Sequence, residues 1–559
     1  MPVIETVAAN CQDCYRCVRA CPVKAIRVSG GQARIVDDLC VHCGTCVREC
    51  PQKAKVIRGD TEAVKALLAS GRDVAVSVAP SFAAVYGRFC RNLPGALRRL
   101  GFRYVSETAE GAKYATVKSF DRQQTGNICT ACPAAVAYVE KYKPGLIKHL
   151  IPVVSPMTAH GRLLKARYHD CAVVFIGPCA AKKEEMLRRE NAGAVDAVLT
   201  FNELNAWLEE ENIDIARGVE SGFDNALPVG DARLFPLEGG MLKTGGFESG
   251  VGDVNCLKVS GTEAVMGLFE EKSLLHSAEF IEPLFCEGGC ICGPAAPKGL
   301  SVYERRKAVI DYWKKSARDT EAQAGDIAHG AEFENKSALS AHADVSESDI
   351  QRILAETGKL DPALQLNCEA CGYKSCVENA KAIARGMAER EMCIPFMRRL
   401  AQQRTDRIIE TAPNGVVVLD GDLHMIKMNP AFQKMFNCNN GILGKRISYL
   451  VNASGFEEMR SGAAETYESI RTQYGIRYHE ILYALRDEEQ YVGIYSDISK
   501  VRFDAKQLDM IKMQTLMHAR EFIDHQIRFS QEMAHYLGKS TAESESIAKK
   551  LIALYEGLK

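Results

Sequence analysis

The same spacing, C-x2-C-x2-C-x3-C-P, occurs twice within the first 51 residues: Cys11, Cys14, Cys17 and Cys21 before Pro22, then Cys40, Cys43, Cys46 and Cys50 before Pro51. Thiolates two residues apart reach neighbouring irons of one cube from a single loop, and the helix that follows turns the fourth cysteine toward the other cube. The repeat therefore predicts a crossed pair of [4Fe-4S] clusters. One takes Cys11, Cys14, Cys17 and Cys50, and the other Cys40, Cys43, Cys46 and Cys21. Two zinc sites are the alternative, but zinc needs four ligands in two pairs and leaves the third cysteine and the proline without a role. Two clusters so held conduct electrons and leave no open coordination for a substrate, so the chemistry must lie further along.

The remaining cysteines, out of 22 in 559 residues, fit metal ligation better than a disulfide scaffold, because disulfide-dense proteins are short and secreted. The opening MPVIETVAANCQDC has no basic segment followed by an apolar stretch, and no run of about 18 apolar residues could span a bilayer. A cytoplasmic protein with no membrane partner is expected. A net charge of -1 without blocks of like charge gives no reason to expect nucleic acid.

From residue 61 short apolar runs alternate with amphipathic stretches. DVAVSVAPS at 73–81 and HDCAVVFIGPCAAKKEE at 169–185 read as buried strands that run into functional loops of an α/β domain. In such sheets ligands gather beyond the carboxyl ends of strands, where Cys179 falls. Three loops, CTACPAA at 129–135, GPCAAKKEE at 177–185 and FCEGGCICG at 285–293, resemble the signature segments of the [FeFe]-hydrogenase catalytic domain. The resemblance implies that Cys132, Cys179, Cys286 and Cys290 hold a [4Fe-4S] cube. Cys290 would bridge it to a di-iron unit carrying carbon monoxide, cyanide and an azadithiolate, the whole forming an H-cluster. Lys182 matches the lysine that contacts a cyanide, and Gly288 and Gly289 would let the backbone approach the cofactor. A bare cube without di-iron, as in related proteins of cytosolic iron-sulfur assembly, is the alternative.

The loops also depart from that family. Ala131 stands where a cysteine usually passes protons to the bridging amine, and a methyl group can neither donate nor accept one. Ser119 and Arg122 fall near the places of the glutamates that continue the relay. Gly177 and Leu284 replace methionines, and Cys129 and Cys292 are extra thiols, read as structural or as substitutes for the missing one. Slow turnover is expected.

Cys368, Cys371, Cys376 and Cys393, in a C-x2-C-G-x3-C loop with a distant cysteine before Pro395, resemble a small single-cubane domain, with a zinc knuckle as the alternative. Residues 403–500, with Asn429, Pro430, Ala431 and Phe432 opening a helix, resemble a PAS domain, in which His424 reads as an ordinary surface histidine. Leu508, Ile511, Met517, Ile523 and Ile527 then recur at helical spacing, as in a helix that pairs within a homodimer.

The expected fold is multidomain, α+β and α/β. Residues 1–60 form a two-cluster ferredoxin domain, 61–345 the H-cluster domain, 346–402 the single-cluster domain, 403–500 the PAS domain and 501–559 an amphipathic helical segment. Three [4Fe-4S] clusters and the H-cluster are the expected cofactors. The function implied is a sensory [FeFe]-hydrogenase that acts on H2 and protons and signals to a kinase or phosphatase, with ferredoxin as a further partner. A metabolic ferredoxin-dependent hydrogenase and a non-catalytic redox switch are the alternatives.

Overall fold

The computed structural model describes residues 2–499 apart from 122–125, 227–228, 248–254, 298, 317–325, 341–344 and 486–488. Arg122 and the expected C-terminal helix with Leu508, Ile511, Met517, Ile523 and Ile527 lie outside the described residues. The chain divides into two compact units, Met1–Arg398 and Arg399–Lys559.

In the first unit each cysteine run is a loop that closes into a short helix, Arg16–Ala20 or Thr45–Glu49. Each helix is entered through a left-handed residue, Tyr15 at φ 52° and Gly44 at φ 74°. Two small antiparallel ladders close this segment, Ile4–Thr6 on Lys55–Ile57 and Ile26–Ser29 on Gln32–Ile35.

Next comes a parallel sheet in the order Tyr104–Glu107, Val74–Val78, Ala172–Gly177, Ala197–Thr200. Every residue of Val74–Val78 and Ala172–Gly177 is buried, which is why both read as unbroken apolar runs rather than alternating ones. The first strand in sequence sits in the middle, with its successors on opposite sides. The chain therefore reverses direction across the sheet at the carboxyl ends of Val74–Val78 and Ala172–Gly177, where a crevice opens. A second parallel pair, Cys256–Ser260 with Phe280–Leu284, is tied to the loop before Cys132 through Ile128, whose bridges reach both Leu150 and Ile281.

The helices Glu347–Glu356 and Cys376–Ala384 pack through Ile350, Ile353, Leu354 and Ala380. Gly372 lies against the first cysteine-run helix: a Cβ there would stand 3.0 Å from both Arg19 N and a Val18 methyl.

The second unit is a five-stranded antiparallel sheet in the order Met425–Met428, Gly415–Leu419, Gln490–Asp497, Ile476–Leu485, Thr466–Gln473. Phe432, Phe436, Phe456, Tyr478 and Tyr495 fill its core. Asn429 caps the helix Pro430–Met435 and fastens it to the sheet: its amide oxygen accepts from Phe432 N at 2.9 Å and Val416 N at 2.8 Å, while its amide nitrogen donates to Ile409 O and Asn414 O. His424 is 39% exposed and paired with Asp420, an ordinary turn residue.

Candidate functional site

Three sequence-distant loops meet over the crevice. Cys132 caps the helix Pro133–Tyr142, whose proline sits at the first turn where no N–H is required. Cys179 follows the strand Ala172–Gly177 and precedes the helix Ala181–Met186. Cys286 leaves the end of Phe280–Leu284, and Cys290 opens a tight turn through Cys292. All four line one cavity, together with Ala131, Lys182, Leu284 and Cys43 of the second cysteine run.

Their thiols are held protonated by their surroundings. Burial pushes the Cys179 thiol up to about 12, with Cys132 adding to it. Cys286 and Cys290 are raised further, by burial first and then by the other thiols of the set. Cys132 is raised by burial against backbone N–H groups of Phe285, Ala135 and Ala134. Four such thiols cannot ionise together in a dry pocket unless a cationic cluster replaces their protons. Among the described residues no three or more His, Cys, Asp or Glu side chains converge tightly enough for a single metal ion.

The pocket also holds polar groups suited to small anionic ligands. Ser81, 1% exposed, lines the cavity with a hydroxyl that has no hydrogen-bond partner in the described protein. Lys182 donates to Ser155 Oγ at 2.8 Å, is paired with Glu185 at 2.6 Å and lies 3.4 Å from Ala131 O. An unpartnered hydroxyl and an ammonium on a largely apolar wall are the groups a small anionic ligand would need.

Gly288 and Gly289, expected to let the backbone approach the cofactor, also have a reason within the protein itself. Both have positive φ, 76° and 91°, and a Cβ on Gly289 would stand 2.4 Å from Pro236 O while one on Gly288 would stand 2.8 Å from a Val302 methyl. The protein's own backbone and packing demand these glycines. Neither Cys129 nor Cys292 is among the described residues lining the cavity. Cys129 is buried near Cys256 and Glu282, whose carboxyl burial pushes up to about 7. Sequence reasoning missed Thr108, Phe235 and Met157, which line the pocket, while the Ala79–Ser81 turn that also lines it follows the strand it did mark.

The other cysteines lie near one another within each run and across the first two. Cys11, Cys14 and Cys50 are the thiols that raise Cys17, after burial, to about 11. Cys21, Cys40 and Cys43 surround Cys46. Cys371 has Cys393 and Cys368 as neighbours, and the buried Lys359 donates to Cys393 Sγ at 2.8 Å and interacts with Cys376. Tyr373 is near both Cys371 and Cys21, in one apolar cluster with them, so the third set adjoins the second.

Residues 72–294 match the family model of the iron only hydrogenase large subunit, C-terminal domain. Residues 10–55 match a 4Fe-4S dicluster domain, 365–395 an Fe-S cluster model and 403–470 a PAS domain. The class is thus a multidomain iron-sulfur protein that carries an [FeFe]-hydrogenase-like domain and a PAS domain.

Its similar relatives fall in two groups. The cytosolic Fe-S cluster assembly factor NAR1 of Eremothecium gossypii is 34% identical over 159 residues, 25% of this chain and 35% of that protein. The periplasmic [Fe] hydrogenase large subunit of Nitratidesulfovibrio vulgaris is 27% identical over 265 residues, 37% of this chain and 63% of that one. The matched part is thus less than two thirds of either relative. The solved [FeFe]-hydrogenase HydA(deltaEFG) aligns at 18% identity with a TM-score of 0.37, covering 47% of this chain and 91% of that chain. No helix among the described residues is long and apolar enough to cross a membrane.

Proposed function

We propose that this chain is a cytoplasmic H2-sensing [FeFe]-hydrogenase of low turnover, whose clusters pass electrons toward the PAS module. The observation that carries the reading is the cavity itself: four half-buried thiols, Lys182 and the unpaired Ser81 hydroxyl line it, while position 131 offers a methyl group. When bound there, a di-iron group supplies an open iron and a basic amine for heterolytic splitting of H2. Cys132, Cys179, Cys286 and Cys290 would hold the cube and its bridge, and Lys182 and Ser81 would bond cyanide ligands. The apolar wall of Phe235, Met157 and Leu284 excludes water. Cys43, which lines the same cavity, marks where electrons leave for the Cys21, Cys40, Cys43 and Cys46 set and from there the set beside Tyr373.

Ala131 leaves proton transfer without its usual first member. In the loaded protein, Ala131→Cys should raise H2 evolution from reduced viologen by about 10² or more. An unaltered protein already as fast as its Ala131→Cys variant would instead favour a metabolic enzyme with ferredoxin as partner. A homodimer signalling to a kinase or phosphatase completes the proposal.

The NAR1 similarity favours a second reading, a non-catalytic protein with cubes alone. Iron and sulfide contents matching four cubes, with no di-iron taken up after maturation, would select it.

A further inference from the structure

Thr108, on the cavity wall, begins a line of hydrogen bonds that runs away from the site into the core. Its Oγ1 is 2.7 Å from Ser77 Oγ, and Ser77 Oγ is 2.7 Å from His160 Nδ1. His160 Nε2 lies 3.1 Å from Glu110 Oε2. Arg167 in turn donates to both Glu110 oxygens, at 3.0 and 3.3 Å, and Ala226 N donates to Oε1 at 2.9 Å. Ser77 and His160 are 0% exposed, Glu110 1% and Thr108 3%.

Stability does not account for this line. Burying a histidine, a carboxylate and two hydroxyls costs more than apolar residues of the same volume would, and the strand around Ser77 is otherwise Val74, Ala75, Val76 and Val78. The helices Ala109–Ser119 and Pro156–Arg167 are nonetheless pressed together at Gly111, where a Cβ would stand 2.4 Å from Pro156 O and 2.5 Å from His160 Cβ. That glycine brings Glu110 onto the imidazole. The charged groups bonded around His160 are Glu110 from the facing helix and, beyond it, Arg167 from its own helix; the strand contributes the Ser77 hydroxyl.

We propose that Thr108, Ser77 and His160 form a one-proton store beside the cavity, taking the place of the relay that Ala131 cannot supply. This rests on the H2-splitting reading above. With Nε2–H donated to Glu110, Nδ1 is free to accept, so Ser77 donates to it and Thr108 donates to Ser77. A proton arriving at Thr108 Oγ1 displaces the threonine proton to Ser77, and the serine proton passes to His160 Nδ1. Each hydroxyl ends with one proton, the imidazole has gained one, and no electrons change hands. The imidazolium then faces a carboxylate kept ionised by His160 and Arg167: although burial alone would raise Glu110, these partners bring it down to about 2. His160 has no exposed surface from which to release the proton, so it is held and returned by the same steps. A store without an exit suits a site that registers H2 rather than consuming it.

The test uses full-length protein, labelled with 15N-histidine and loaded with the di-iron cofactor, with infrared difference spectra recorded on exposure to H2. An imidazole band that moves with the label should appear. Ser77→Ala leaves the His160, Glu110 and Arg167 bonds in place and should keep the carbon monoxide and cyanide bands. It should lose the histidine band while H2 still shifts the carbon monoxide and cyanide bands. His160→Phe should do the same. The store is overturned if carbon monoxide and cyanide bands respond to H2 with no histidine change, or if Ser77→Ala keeps the histidine band. Absent carbon monoxide and cyanide bands in the unaltered protein would remove the H2-splitting reading, and the store with it.

Discussion

Replacing Gly44 by alanine should uncouple the second cysteine run from the catalytic loops, and the structure sets the size of the effect. Gly44 caps the helix Thr45–Glu49 at φ 74°, a conformation that costs a residue with a Cβ about 1–2 kcal/mol. The added Cβ would stand 2.4 Å from both Cβ and Cγ of Pro294, four residues after Cys290, inside any allowed contact. Pro294 is a rigid ring, so the neighbouring loop must shift, an overpacking cost of about 1–3 kcal/mol. The sum is roughly 2–5 kcal/mol. Gly71 supplies the control: its φ is 80° and an added Cβ would meet nothing within 4 Å, so Gly71→Ala incurs the backbone term alone. Both variants would be heated anaerobically while visible absorption follows cluster loss. Gly44→Ala should bleach at a clearly lower temperature than Gly71→Ala and should slow electron transfer from reduced viologen to the catalytic pocket. Equal behaviour of the two variants would refute the claim that this contact is tight.

Three further outcomes are expected. Glu110 falls from 4.5 to about 2 on folding, so its stabilisation of roughly 3 kcal/mol is complete above pH 4.5 and is lost as pH falls toward 2. Urea unfolding should accordingly show Glu110→Gln weaker than the parent by about that amount at pH 7, with the gap closing in acid. Asn429→Ala strips partners from the Val416 and Phe432 N–H groups, and calorimetry should show the PAS transition destabilised by about 2–4 kcal/mol with the iron-sulfur unit unchanged. Lys359→Met removes a buried positive charge 2.8 Å from Cys393 Sγ and should lower the midpoint potential of the third cluster in a redox titration followed by electron paramagnetic resonance.

The iron-sulfur segments were legible because ligand spacing is local: a loop of given length places thiolates wherever the rest of the chain goes. The sheet was legible for a similar reason, since Val74–Val78 and Ala172–Gly177 are buried on both faces and read as apolar runs. What escaped sequence reasoning depends on contacts between distant segments. Ser77 looks like an interruption in a strand, and His160 like any helical histidine, until Gly111 lets two helices close and puts Glu110 on the ring. Gly288 and Gly289 were recognisable as necessary, but their contacts with Pro236 O and Val302 come from more than ten residues away in either direction. Asn429 was visible as a helix start, whereas its amide bonds to Ile409 and Asn414 follow from the return of the sheet.

The central claim is that the cavity of Cys132, Cys179, Cys286, Cys290, Lys182 and Ser81 holds a di-iron unit and activates H2. Infrared spectroscopy of the full-length protein matured with the di-iron cofactor tests it most directly. The account predicts carbon monoxide and cyanide bands that move on exposure to H2, with the cyanide bands displaced in Lys182→Met and Ser81→Ala. A protein with its cubes intact and no such bands under any redox condition would contradict it.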